Sequence, residues 1–324
     1  MNRKSQWIPG LFLLAATLGG GNKLVELLPK LQPGQTVIYL IHFQSDKAVK
    51  TESKVVAPMA PDAAQIDAHG LLRIEVLEVQ QPTGKATIHA RGQFLTLDSG
   101  LAAKEPNDKG SKGNFPQVDP TGKTIEFTIS SSGAVSNVKG FDSLLPEQQQ
   151  AWQQWVSRFA VAWTLPAGAA KLGEKWKSEE SEQLGAPLSG LHWERESTYV
   201  KDAPCQPMQV SIAGDVSPAN APPDTCAVLL TTAKLRQKSS SKDATPEEFR
   251  LHDLRTTGTA KGTNEIITYI SLKTGLLVRA TEETTQFMDV VVAKTDGSNG
   301  VHYNVDAKSH AEVLLLNQTS LYKP

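Results

Sequence analysis

Residues 35–44 read Gln-Thr-Val-Ile-Tyr-Leu-Ile-His-Phe-Gln, and this stretch indicates the fold class. Large apolar side chains occupy every second position from Val37 to Phe43, and a more mixed set that includes His42 fills the positions between. Because successive side chains of a strand point to opposite faces, this spacing predicts a β-strand with one strongly apolar face. We therefore expect a fold that is rich in β-structure.

The same alternation returns in both halves of the chain. Ile125, Phe127 and Ile129 lead through a Ser-Ser-Ser-Gly turn into a return strand, which predicts a hairpin. Residues 266–289 repeat this order roughly 140 positions later, with Lys-Thr-Gly at the turn. The repetition predicts two related antiparallel modules, 30–145 and 167–324, a division that suits a chain of 324 residues.

A long amphipathic helix is predicted between the two modules. Pro146 suits a first helical turn and Pro166 ends the segment, so we expect a connecting helix in 146–166, with its helical turns in 146–164. Its apolar stripe has helical spacing and consists of Trp152, Trp155, Val156, Phe159 and Trp163.

This stripe has to be buried, and three arrangements fit it. The helix could pack on the neighbouring sheet as core, act as a lid over an incompletely filled half-barrel, or expose its stripe to a partner. The sequence thus predicts a mainly β, α+β fold, in which half-barrel-like sheets are joined by one Trp-rich helix.

The N-terminus has the order of a secretory signal. Arg3 and Lys4 precede an apolar stretch at 8–18, and Gly-Gly-Gly-Asn follows it. These 11 residues are fewer than the roughly 20 that a membrane-spanning helix needs. We expect residues 1–21 to be a signal peptide, and the exported product to be periplasmic or extracellular with no integral membrane span.

Cys205 and Cys226 are the only two cysteines, and they bracket a proline-rich loop. In an oxidising compartment such a pair can form a disulfide that closes the loop, although two separate buried thiols would also fit. Neither cysteine lies in a C-x-x-C motif, which argues against redox catalysis.

Charge and motifs exclude several classes of function. A net charge of -1 supplies no basic field for nucleic acid. Residues 122–124 resemble the end of a P-loop but lack its first glycine, and 310–312 lack the second histidine of a zinc-binding helix. We expect no cofactor and no metal.

One group of side chains is a candidate for acid/base chemistry if the protein is an enzyme. It consists of His192, Glu194 and Glu196, which share one strand face.

Two segments poor in apolar residues, 99–121 and 237–248, predict solvated loops between strands. They would carry the contacts if the protein were an adhesin or a matrix component.

Several short phrases carry a resemblance to a protein family: Leu31-x-x-Gly34-x-x-x-x-Tyr39, Gly133 before Val135, and Leu165-Pro166 followed by Leu172-Gly173-x-x-Trp176. They resemble an uncharacterised family of exported bacterial β-rich proteins over most of residues 30–290. The resemblance implies architecture and no assigned catalytic residues. At the level of fold alone, the pattern looks like the half-barrels of periplasmic lipoprotein carriers and mycobacterial lipid-binding lipoproteins. This chain departs from them in lacking a lipobox cysteine and in being duplicated.

These features together predict an exported, non-catalytic protein of the cell envelope with a binding or scaffold role. Its partner would be a hydrophobic small molecule, such as a lipid, or another envelope protein. An apolar pocket would be lined from the helix and from the first strand by Trp152, Trp155, Phe159, Trp163, Tyr39, Ile41 and Phe43. The alternatives are an enzyme that uses His192, Glu194 and Glu196, and an adhesin or matrix component.

Overall fold

A computed structural model describes residues 24–27, 30–53, 63–80, 87–103, 124–130, 135–140, 165–166, 168–181, 187–210, 216–220 and 222–317. The predicted signal peptide and the predicted helix with Trp152, Trp155, Phe159 and Trp163 lie outside these residues, so both stay predictions. The elements are β1 Thr36–Ser53, β2 Ala63–Gln80, β3 Thr87–Ala103, β4 Thr124–Ser130, β5 Val135–Lys139, β6 Lys175–Ser181, β7 Leu191–Cys205, β8 Met208–Val210, β9 Val216–Pro218, β10 Asp224–Gln237, α1 Glu247–Leu251, β11 Leu254–Ser271, β12 Leu277–Lys294 and β13 Val301–Leu316.

The fold is mainly β, as the alternating pattern predicts, and its strands form one large antiparallel sheet. The strand order is β5-β4-β3-β2-β1-β13-β12-β11-β10-β7-β6, with β8 and β9 off this path. Strands from both halves of the chain meet where β1 pairs with β13, from Ile38 opposite Leu316 to Ser53 opposite Val301. The prediction of two modules is therefore not confirmed. The first strand of the N-terminal half pairs with the last strand of the C-terminal half, which satisfies backbone groups that two separate sheets would expose.

One face of this sheet, called the inner face here, carries most of the core. Tyr39 on β1 defines it, and directly opposite residues of neighbouring strands, such as Leu72 and Leu315, share it. At the end of the sheet where β1 begins, apolar residues of this face belong to one buried cluster, which reaches from Phe127 on β4 to Tyr199 on β7. We call this the core cluster.

The N-terminal segment runs across the end of the sheet next to the core cluster. Val25 pairs with Ala170, the Lys30 N–H donates to Thr274 O over 3.0 Å, and the Gly34 N–H donates to Val76 O. Gly34 has a φ of 84°, which a residue with a side chain rarely adopts. Leu27 in the same segment is buried in the core cluster, so the segment closes this end of the sheet.

The predicted disulfide between Cys205 and Cys226 is present, with 5.8 Å between the two Cα atoms. It joins β7 to β10 at the base of a connection that contains β8 and β9. Because both cysteines are used, the alternative of two separate thiols is wrong.

The same connection shows that the sheet curls. Met208 on β8 pairs with Leu316 on β13, which in a flat sheet would lie four strand spacings, or about 19 Å, from β7. Only three residue steps separate Cys205 from Met208, and they reach at most about 11 Å. β8 lies one strand spacing, about 5 Å, from β13, so the chain can span about 16 Å in total. This is shorter than the distance of about 19 Å between β7 and β13 in a flat sheet. The strands from β7 to β13 therefore curve toward each other.

The opposite end of the sheet has a second, smaller apolar cluster, which includes Leu191, Leu235, Met288 and Val290. The connection from β10 to β11, with helix α1, folds against this end, and Ala244 in it is fully buried. The prediction of a solvated loop at 237–248 is therefore wrong in part. The other predicted loop, 99–121, begins inside β3, and its residues from 104 onward lie outside the described part of the chain.

Candidate functional site

The strand residues predicted to line an apolar pocket lie in the middle of the inner face. Tyr39, Ile41 and Phe43 are 0%, 1% and 5% exposed, and all three belong to the core cluster. Burial raises the pKa of the Tyr39 phenol, which is therefore neutral. Both a filled core and a wall that contacts an apolar ligand would bury these side chains, so their lining role stays a prediction.

The topology constrains the chain segment that is predicted to contain the Trp-rich helix. The strand β5 ends at Lys139 at one edge of the sheet, and β6 begins at Lys175 at the other edge. Residues 140–174 must therefore connect opposite edges. Where the structure describes the second part of this segment, Leu165 and Ala170 are buried in the core cluster. The chain just after the predicted helix therefore lies beside the core cluster.

Between the core cluster and the second cluster, the inner face carries polar side chains, which we call the polar band. Its members come from β6, β7, β10, β11 and β12: Trp176, Ser178, Arg195, Ser197, Thr231, Asn264, Glu282, Thr284 and Gln286. Four members are buried and the other five are half-buried. Polar groups that leave water on folding need hydrogen-bond partners, so a band of this kind is a candidate binding site.

Part of the polar band is held by hydrogen bonds between neighbouring strands. Ser197 and Thr231 share a hydrogen bond of 2.7 Å between their hydroxyls. The Asn264 amide nitrogen donates to Glu282 Oε1 at 2.5 Å and to Thr284 Oγ1 at 2.7 Å. These bonds fix the orientation of the Asn264 amide, and they leave its carbonyl oxygen directed elsewhere.

The opposite, outer face carries His192, Glu194 and Glu196, and the prediction that they share a strand face agrees with the alternation along β7. His192 is buried, and its Nε2 lies 3.7 Å from Glu194 Oε1. Arg236 Nε donates to Glu194 at 3.1 Å, and Lys175 donates to Glu196 at 2.9 Å.

These contacts bear on the enzyme alternative. The hydrogen bond from Lys175 holds the pKa of Glu196 below its usual range, whereas a general acid at neutral pH needs a raised pKa. Both carboxylates point to solvent beside cations. The arrangement fits a surface ion-pair network and gives acid/base catalysis no geometric support.

Three further histidines of the outer face pair with carboxylates on neighbouring strands, and sequence reasoning missed them. His302 Nε2 lies 2.7 Å from Asp289, and His310 Nδ1 lies 2.6 Å from Glu283. His42 Nε2 lies 3.0 Å from Asp67 Oδ1. The partners are 13 to 27 residues apart in the chain, so only the strand register brings them together.

A half-open depression of about 520 Å³ lies on the outer face near the β5 edge. Glu78, His89, Thr128 and Lys139 are among its mostly polar lining residues, and none of the predicted site residues is.

Within the described ranges, no group of three or more histidine, cysteine, aspartate or glutamate side chains is arranged to hold a metal ion. Nor does any helix in that part of the chain combine the length and the apolar character that crossing a bilayer requires.

The chain matches no protein-family model and no curated protein. Among solved structures, a protein of Parabacteroides distasonis classed provisionally as a lipoprotein aligns over 90% of this chain and 98% of its own, with 8% identity and a TM-score of 0.22. Pseudomonas aeruginosa OpdQ aligns over 89% and 100%, with 7% identity and a TM-score of 0.20. An outer membrane channel of Pseudomonas putida aligns over 89% and 97%, with 12% identity and a TM-score of 0.20. Similarity at this level establishes no shared fold.

Proposed function

We propose that this protein is an exported, non-catalytic binding protein of the cell envelope that holds an apolar ligand, such as a lipid, against the inner face of its sheet. The observation that carries the proposal is the one-sided core cluster, which places Tyr39, Ile41 and Phe43 in one apolar surface with residues of eight further strands. The ligand would lie between this surface and the Trp-rich helix.

The topology supports a cover for that surface. The predicted helix belongs to the segment between β5 and β6, which joins the two edges of the sheet. It is therefore tethered at both ends, and a helix of 19 residues would be about 28 Å long, which covers roughly six strands. Such a segment can lie over the inner face without taking a place in the sheet.

The disulfide supports the proposed location. Disulfides persist in oxidising compartments and are rare in the reducing cytosol. The pair Cys205–Cys226 therefore agrees with the export that the N-terminal sequence predicts.

The proposal is tested first by native mass spectrometry of the mature protein, purified gently from the envelope, with solvent extraction of the released molecules. We expect a stoichiometric apolar ligand that leaves on unfolding. A bare polypeptide mass would count against a tightly bound ligand and favour a scaffold role.

A second measurement locates the ligand. A fatty acid brominated in mid-chain quenches tryptophan fluorescence at short range, and we expect it to quench the wild-type protein. The triple variant Trp152→Phe, Trp155→Phe and Trp163→Phe should lose most of this quenching. The matched control Trp193→Phe, at the second apolar cluster, should keep it. Equal quenching in both variants would place the chain away from the predicted helix and contradict the proposal.

A further inference from the structure

Four buried atoms of the polar band have no hydrogen-bond partner in the part of the chain that the structure describes. They are Trp176 Nε1, Ser178 Oγ, Asn264 Oδ1 and Gln286 Nε2. The Asn264 residue is only 8% exposed. A buried polar atom without a partner destabilises the folded state, so a protein that retains four of them on one face needs an explanation.

The strand register shows that these atoms belong to one region. Ser178 lies opposite Arg195, and the same cross-strand row continues through Ala233 to Asn264. Trp176 is two residues from Ser178 on the same face, and Gln286 lies opposite Gly262, two residues from Asn264. The atoms thus come from β6, β11 and β12 and point to the same side of the sheet.

Curvature brings these strands closer together than a flat sheet would. The Trp193 indole, which projects from β7, passes β10 and comes within 3.0 Å of the place where a Cβ of Gly262 on β11 would lie. Inner-face side chains thus meet across an intervening strand, as they do on a concave surface. The polar band therefore lines a concave region between the two apolar clusters.

The atom types indicate which ligand chemistry fits. Trp176 Nε1 and Gln286 Nε2 donate, Asn264 Oδ1 accepts, and Ser178 Oγ does either. A hydroxyl group donates and accepts at once, so a group with several hydroxyls matches this mixture. A phosphodiester only accepts and would leave Asn264 Oδ1 unmatched, next to the carboxylate of Glu282.

The net charge of the polar band also favours an uncharged ligand. Arg195 and Glu282 are the two members of the band with a formal charge, and these charges cancel. A site for an anion would be expected to carry an excess of positive charge.

We propose that the polar band binds the uncharged, hydroxyl-bearing part of a ligand, with the chemistry of a sugar or glycerol group. Where this group is the head of an amphiphile whose chain lies on the core cluster, the inference rests on the proposed function. Where it is a free sugar, the band acts by itself.

The decisive variant is Gln286→Met, which keeps the size of the side chain and removes the unpartnered amide. Since the described part of the chain offers this amide nitrogen no hydrogen-bond partner, we expect the free protein to unfold at a higher urea concentration than wild type. We also expect affinity for a hydroxylated ligand to fall about fivefold to tenfold, the effect of one hydrogen bond. Trp176→Phe removes a second donor and should lower the affinity in the same way; because the indole also packs against the core cluster, only its effect on binding is compared. Gln65→Met is the matched control, because Gln65 is exposed on the outer face, opposite Asp46, and should change neither quantity.

Titration calorimetry with three probes separates the possible ligands: dodecyl glucoside below its micelle threshold, free glucose, and a fatty acid of equal chain length. We expect the glucoside to bind more tightly than the fatty acid, and Gln286→Met to weaken only the glucoside. Glucose binding that Gln286→Met weakens equally supports the band as a site for free sugar.

Two outcomes overturn the inference. One is a Gln286→Met variant that binds the glucoside as wild type does and unfolds at lower urea, which would make the amide part of the internal structure. The other is a glucoside that binds no better than the fatty acid, which leaves the proposed function intact. Conversely, glucoside binding that depends on Gln286, without quenching of the helix tryptophans by the brominated fatty acid, would contradict the proposed function and leave this inference standing.

Discussion

Trp193 on β7 lies against Gly262 on β11, although the strand β10 runs between them. A Cβ on Gly262 would come within 3.0 Å of the Trp193 indole and within 2.8 Å of the Thr285 carbonyl oxygen. The missing side chain therefore leaves the space that the indole fills, and the contact reports how strongly this part of the sheet curls.

The first prediction concerns this contact. Gly262→Ala should lower the free energy of unfolding by about 1–3 kcal/mol, because the added methyl group overpacks a space bounded by backbone on one side. Urea denaturation measures the change. The matched control is Gly300→Ala, where the nearest heavy atoms to a new Cβ are 3.8 Å away, and it should leave stability nearly unchanged. Equal effects of the two substitutions would contradict the close approach at Gly262.

The second prediction concerns the disulfide. Replacing Cys205 and Cys226 together by alanine should lower the free energy of unfolding by about 3 kcal/mol, the chain-entropy value for a closed loop of this length. Urea denaturation with and without a reducing agent checks it. The reductant should destabilise wild type and leave the double variant unaffected, and a wild-type protein insensitive to the reductant after unfolding would argue against the bond.

The third prediction concerns pH. The Asp289 carboxylate, 2.7 Å from His302, raises the pKa of this histidine above its usual 6.5, with a smaller effect from Glu52. A raised pKa in the folded state means that the stabilisation is complete below about pH 6.5 and is lost as the pH rises through the folded pKa. The ion pair should stabilise the folded state by about 0.2–1 kcal/mol, because both side chains are partly exposed.

The comparison of wild type with His302→Gln isolates this effect. The stability difference between the two proteins should be larger at pH 5.5 than at pH 8.5, since only the protonated imidazole forms the ion pair. The Asp289→Asn background provides the control, because without this carboxylate His302→Gln should change stability by more nearly equal amounts at the two pH values. A wild-type advantage that grows with pH would contradict the assigned pairing.

Local features of the fold could be predicted from the chain. The period of two around Tyr39 identifies both β1 and its buried face, because a strand alternates its side chains whatever it pairs with. The disulfide could be predicted because the two cysteines lie about 20 residues apart around a proline-rich loop, and closing a short loop costs little chain entropy.

The arrangement of the strands could not be predicted in the same way. The similar halves indicated two modules, yet β1 pairs with β13 and unites them, because pairing of strands far apart in sequence depends on edges that no local pattern reveals. The sequence correctly predicted that His192, Glu194 and Glu196 share one strand face. It could not predict the cations that pair with the two carboxylates, because Arg236 and Lys175 come from the two neighbouring strands.

The polar band shows the same division. Asn264 and Gln286 are ordinary polar residues in strands of mixed composition, and nothing in their immediate sequence marks them as buried. By itself the sequence predicted several of the strands with their apolar faces, the cysteine pair and the expectation of export, since each depends on residues that are close together along the chain. Only the tertiary structure decided the register, the curl and the meeting of polar atoms from β6, β11 and β12, because these depend on which strand edges pair and how far the paired strands twist.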